Sequence, residues 1–144
     1  MYLDSAVIVK LFTAESDSWF YADLVDGRSD IVVSNLSVPE CCSAVLRKAD
    51  HGDIDGATCE TALSKIDAFF MAGVGVSVIG VDAGIIYHAA ELITQCHGHV
   101  PLRTLNSIQI AACMRAEAYP LVTNDRLMRK AAEVLGVPLT PLPA

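Results

Sequence analysis

The chain lacks a long apolar run, a surplus of positive charge, a secretion signal and any Cys-x-x-Cys pair, and each absence closes off a class of protein. Its longest mostly apolar stretch, 68–81, is broken by three glycines and is shorter than the roughly 20 residues a membrane helix needs. An acid stands at position four, where a signal peptide has a basic start leading into an apolar core, so a cytoplasmic protein with no membrane attachment is expected. Cys41, Cys42, Cys59, Cys96 and Cys113 are odd in number and mostly occupy apolar positions of predicted helices. They read as reduced core thiols and not as a disulfide frame or a zinc site. A net charge of −7 opposes nucleic-acid binding by broad phosphate neutralisation, so any phosphate chemistry must be confined to a local site.

What remains is a chain that is 53% hydrophobic, with apolar residues in short runs separated by polar turns, the pattern of a compact globular protein. Its 144 residues suit a single domain, 1–144, with one core on a sheet and one site to look for. Short apolar strands are predicted at Met1–Leu3, Ile31–Ser34, Val74–Ile79 and Leu121–Thr123, with a last edge strand at Val137–Thr140. Helices are predicted over Ala6–Phe12, Ser16–Val25, Ser37–Asp50, Gly56–Met71, Asp82–Cys96, Thr104–Ala118 and Arg126–Leu135. Strands alternating with helices imply an α/β fold, a three-layer α/β/α sandwich around a central parallel sheet of four to five strands.

In such sheets ligands bind beyond the carboxyl ends of the strands. Asp4 and Asp125 each directly follow a strand, and Glu40 and Asn106 each lie in the first turn of a helix starting at that edge. Four separate stretches thus deliver oxygen-bearing side chains to one rim. Carboxylates gathered within a few ångströms repel by roughly 4 kcal/mol per close pair at an effective dielectric near 20, and a dication relieves that repulsion. Hard oxygen donors select Mg²⁺ or Mn²⁺, ions that activate water and neutralise charge on a phosphate under attack. A plainer alternative stands beside this for each acid. Asp4 and Asp125 are placed to cap helices, and Glu40 completes the capping box Ser37-Val38-Pro39-Glu40, roles worth about 1 kcal/mol apiece.

Four segments carry a family likeness: 2–11 (YLDSAVIVKL), 38–47 around Val38-Pro39-Glu40, 102–111 (LRTLNSIQIA) and 121–127 (LVTNDRL). In this order and over essentially the whole chain, they resemble the PIN domain, and most closely the VapC toxins of toxin–antitoxin pairs. The resemblance implies a nuclease that cuts RNA with Mg²⁺ or Mn²⁺ held by Asp4, Glu40 and Asp125, with Ser5 and Thr123 orienting carboxylates or water. It also implies an antitoxin-like protein partner and a homodimer. Asn106 departs from the pattern, standing where the family usually has a further aspartate. Its carbonyl can ligate a metal but brings no charge. Two readings follow, an endoribonuclease with weaker metal binding, or a catalytically weakened protein that acts by binding a partner or RNA.

Arg103, beside the acidic rim, is a candidate for contacting an RNA phosphate or a partner carboxylate, with Arg47, Arg126 and Lys130 weaker candidates for the same role. Asp82 reads as a helix cap, His97 and His99 as a solvated turn, and Trp19, Phe69 and Phe70 as core or dimer packing. A phosphoacceptor receiver domain also places acids beyond parallel strands. It needs paired acids near the first strand, and here Asp4 stands alone.

Overall fold

The computed structural model describes residues 1–71 and 74–144. The chain runs β1 (Tyr2–Leu3), α1 (Ser5–Phe12), α2 (Ser18–Val25), β2 (Ile31–Ser34), α3 (Ser37–Asp50), α4 (Gly56–Met71), β3 (Val76–Ile79), α5 (Ala83–Cys96), α6 (Thr104–Arg115), β4 (Leu121–Val122) and α7 (Arg126–Leu135). The strands form one parallel sheet in the order β3-β2-β1-β4. Side chains alternate between faces along each strand, which sorts the apolar residues into two cores. Tyr2 and Leu121 join the core under α5, α6 and α7, whereas Leu3, Ile31, Val33 and Val122 join the core under α1, α3 and α4. These are the three layers expected. Among the described residues no helix is long and apolar enough to cross a membrane.

Several boundaries differ from expectation for local reasons. α6 stops at Arg115 and not at Ala118, because Glu117 takes a positive φ of 49° and the Ala118 N–H closes back on the Cys113 carbonyl at 3.1 Å. α2 begins at Ser18, whose hydroxyl is spent on the Thr13 carbonyl at 2.9 Å. β3 starts two residues late and is an edge strand with Ser77 and Val78 exposed, so it is not the covered strand its β-branched residues suggest. Gly75 just before it needs to be glycine, since at φ +78° a Cβ would sit 2.9 Å from the Arg28 carbonyl oxygen. The tail at 137–140 makes only a bridge, Leu121 to Leu139, instead of a fifth strand. Pro138 and Pro141 each lack an N–H to extend the ladder.

Four of the cysteines are buried, and all five are free thiols; Cys42, on the outer face of α3, is exposed. Burial pushes the Cys113 thiol up to about 12, which keeps it protonated and unreactive. Phe69 packs edge-on to Phe12 at 5.7 Å, and Phe70 joins the same core. Trp19 does not: it is 64% exposed, because the short helix α2 turns Tyr21 and not Trp19 into the core.

Candidate metal centre

Because β1 lies between β2 and β4, the chain leaves β1 toward one side of the sheet and reaches β4 on the other, which makes the β1/β4 edge a switch point where a crevice opens. Asp4 and Thr123 follow directly on the paired residues Leu3 and Val122. The Asp4 backbone N–H donates to the Val122 carbonyl at 3.0 Å, extending the ladder by one step and bringing the two turns together.

Asp4 occupies the N-cap position of α1, yet its side chain caps nothing. Its Oδ2 accepts from the Thr123 hydroxyl at 2.8 Å and its Oδ1 from the Ser5 hydroxyl at 3.2 Å. Thr123 Oγ1 in turn accepts the Asp125 N–H at 3.1 Å, so one buried hydroxyl bridges the two acids. Burial raises the Asp4 pKa to about 6; the charges of Glu40 and Asp125 add to the rise, and the Thr123 and Ser5 hydroxyls offset part of it.

Glu40 does not complete a capping box. The residue at the N-cap position is Leu36, and Ser37 is already the first residue of α3, so its hydroxyl is not placed to cap. Both polar groups turn inward to Gln109 instead, whose amide nitrogen donates to Glu40 Oε2 and, at 3.1 Å, to Ser37 Oγ. Asp125 is a true cap: its Oδ1 accepts the Met128 N–H at 2.7 Å. The plain helix-cap role therefore accounts for Asp125 and for neither Asp4 nor Glu40.

Asn106 lies in the first turn of α6, three residues before Gln109 and so on the same helical face. Leu105 beside it lines a groove of about 420 Å³ together with Ser5, Glu40 and Arg47. The Asn106 amide nitrogen is buried and has no hydrogen-bond partner among the described residues. An unpartnered buried donor costs about 1–3 kcal/mol, a cost that a bound ligand removes.

Among the described residues no three His, Cys, Asp or Glu side chains already converge on one coordination point. One oxygen of Glu40 accepts from the Gln109 amide and one of Asp125 from the Met128 N–H, whereas Glu40 Oε1 and Asp125 Oδ2 accept no hydrogen bond among the described residues. The donor set is all oxygen, with an amide that can present Oδ1, and Asp4 bears a desolvation cost that the Thr123 and Ser5 hydroxyls offset only in part. On donor chemistry these residues fit a hard dication such as Mg²⁺ or Mn²⁺.

The basic candidates are spread around this rim. Arg47 flanks the groove and donates to Ser43 Oγ at 2.7 Å. Arg103 is exposed at the N-cap position of α6, and Arg126 is exposed as the first residue of α7, next to Asp125. Arg129 is committed to the fold, donating to the Thr123 and Thr140 carbonyls at 2.9 and 3.0 Å. Asp82 caps α5 by accepting the Ile85 N–H at 2.9 Å, and His97 and His99 are exposed in the turn after α5.

Gln109 is the functional candidate that sequence reasoning passes over. The available signal is a lone amide in the otherwise apolar run Ile108–Cys113. A buried glutamine needs partners, and those of Gln109 lie 69 to 107 residues away in sequence, beyond any local pattern.

The sequence matches the PIN domain family model over residues 1–134. No curated protein matches it. Solved structures similar to the chain include Mycobacterium tuberculosis VapC20, a toxin cleaving the sarcin-ricin loop (16% identity, TM-score 0.72, covering 90% of this chain and 93% of that one). FitAcB from Neisseria gonorrhoeae is similar at 15% identity and TM-score 0.73, over 97% of this chain and 96% of that one. VapBC2 from Rickettsia felis, bound to a DNA fragment from its promoter, is similar at 17% identity and TM-score 0.67, over 96% of both chains.

Proposed function

The chain belongs to the PIN domain family, and on that premise we propose that it is a metal-dependent endoribonuclease, the toxin of a toxin–antitoxin pair. The observation that carries this reading is Asp4, a buried carboxylate that caps no helix, is tied through Thr123 to Asp125, and feels the charge of Glu40. A carboxylate held at that cost asks for a cation.

In this reading Asp4, Glu40 and Asp125 hold Mg²⁺ or Mn²⁺, with Asn106 as a neutral ligand or as a donor to substrate. The bound ion supplies water activation and charge neutralisation at the phosphodiester. Ser5 and Thr123 fix the rotamer of Asp4, and Gln109 fixes that of Glu40. Arg103, Arg47 and Arg126 are exposed around the rim, where each can hold an RNA phosphate or a carboxylate of an antitoxin-like partner. The similarity to VapC20, named as a sarcin-ricin loop cleaving toxin, supports RNA as the substrate class; the reading also includes the homodimer that the family resemblance implies and a cytoplasmic location.

Cleavage of a panel of structured RNAs with Mn²⁺, with chelator, and by Asp4→Ala tests the reading. Activity is expected only in the parent with metal; cleavage that survives both chelation and the substitution overturns it. The unpartnered Asn106 amide favours a second reading, a protein with weakened catalysis that acts by binding. Under it the parent cuts no RNA at any Mn²⁺ concentration, while Asn106→Asp does.

A further inference from the structure

Gln109 is 1% exposed, and the groups around its amide, Tyr2, Ser34 and Ser37, are fully buried. Its carbonyl oxygen accepts from the Tyr2 phenol and, at 3.2 Å, from the Ser34 hydroxyl. Two donors on one oxygen leave the amide a single orientation, with its NH₂ toward α3. There it reaches Ser37 Oγ at 3.1 Å and Glu40 Oε2. The amide thus links strands β1 and β2 to the carboxylate at the start of α3, across the sheet edge where Asp4 emerges.

A purely structural explanation requires only that the polar groups satisfy one another. It does not require that the last member be an acid whose other oxygen is left over at the rim. Burying a glutamine, a tyrosine hydroxyl and two serines in an apolar core costs more than apolar replacements of similar volume unless every group is paired. Here the Gln109 amide nitrogen finds its second acceptor only in Glu40.

We propose that Gln109 is a positioning residue for the metal site, and that Tyr2 and Ser34 act through it to hold Glu40 in one rotamer. This rests on the reading of Glu40 as a metal ligand. The chain of hydrogen bonds acts in two ways. It removes the rotamer freedom that a glutamate on a partly exposed helix start otherwise loses when it binds an ion. It also takes one lone pair of Oε2, which turns Oε1, the oxygen free of that bond, into the one best placed to meet an ion. Hydrogen bonds to the far side of a metal ligand commonly govern affinity by about 10- to 100-fold.

The test is Mn²⁺ titration of the whole chain by calorimetry, with thermal melting of each metal-free variant alongside. Gln109→Leu is expected to weaken Mn²⁺ binding at least about tenfold. Tyr2→Phe keeps the ring packing and removes only the phenol; it serves if Gln109→Leu does not fold, and it is expected to weaken Mn²⁺ about 2- to 10-fold. In a folded Gln109→Leu background Tyr2→Phe then has no further effect on affinity, since its route to Glu40 is gone. A purely structural network lowers the melting temperature and leaves the Mn²⁺ affinity of every folded variant where it was, and that result overturns the proposal. Asp4→Ala in the same titration separates the two levels. If parent and Asp4→Ala take up Mn²⁺ alike, the metal site itself is refuted and the role of Gln109 falls with it.

Discussion

Replacing Asp4 with asparagine keeps the shape of the side chain and removes its charge, and the metal-free protein is expected to become more stable as a result. The Asp4 pKa stands at about 6 against an ordinary 3.8. At about 1.36 kcal/mol per pH unit, that gap amounts to roughly 3 kcal/mol by which the charged carboxylate opposes folding at neutral pH. The sign follows from proton binding. Because the folded state holds the proton more tightly than the unfolded one, stability from this group is greatest below pH 3.8, declines as pH rises, and is fully lost above about pH 6. Asparagine presents its carbonyl oxygen to Thr123 and its amide to Ser5, whose hydroxyl can turn to accept.

The assay is thermal melting of metal-free parent and Asp4→Asn at pH 7.5 and pH 5. An upper bound of roughly 3 kcal/mol corresponds to a gain of about 5–10 °C at pH 7.5, narrowing at pH 5 as the parent takes up its proton. Adding Mn²⁺ reverses the ranking, since the ion stabilises the parent by binding its folded state and finds no charge at position four in the variant. A variant that melts at or below the parent at pH 7.5 without metal refutes the claim that burial and neighbouring charge strain this carboxylate.

Three further outcomes follow from the same geometry. Thr123→Val removes the hydroxyl shared by Asp4 and the Asp125 N–H, and is expected to cost about 2 kcal/mol in chemical denaturation while abolishing Mn²⁺ uptake; retained metal binding would show that the bridge is dispensable. Arg129→Met, which keeps the stem but loses both carbonyl contacts, is expected to cost about 2 kcal/mol and to loosen the tail around Thr140, read as faster amide exchange at 137–140 with RNA binding unchanged. Lys10, buried between Glu15 and Asp17 at 2.6 Å from each, braces α1 against the loop before α2. Lys10→Met leaves Asp17 without its cation while Glu15 keeps Lys48 at 3.0 Å, and is expected to destabilise the fold by about 1–2 kcal/mol, measured by urea unfolding.

The elements of this fold are largely legible from local signals. Helical periodicity and end signals place α4 and α7, a short apolar run places β1, and a β-branched run places β2. The failures lie where a local signal has two uses. Ser37-Val38-Pro39-Glu40 has the spacing of a capping box, but α3 starts one residue too early for it, and a buried amide claims both side chains. The run at 74–79 has strand chemistry, yet its place at the sheet edge leaves half of it in water.

By itself the sequence determines the α/β class, that acids follow its first and last strands, and that an asparagine stands in the row of acids. These are properties of composition and of spacing within a few residues, and they survive in any fold compatible with the pattern. Tertiary structure alone decides what each polar side chain does. Thr123 reaches Asp4 across 119 residues and Gln109 reaches Glu40 across 69, contacts that exist only because β1 pairs with β4 and α6 packs behind β2. The desolvation that raises Asp4 and leaves the Asn106 amide unpaired belongs to the same class. Burial is a property of everything packed around a residue, and no local window of sequence contains it.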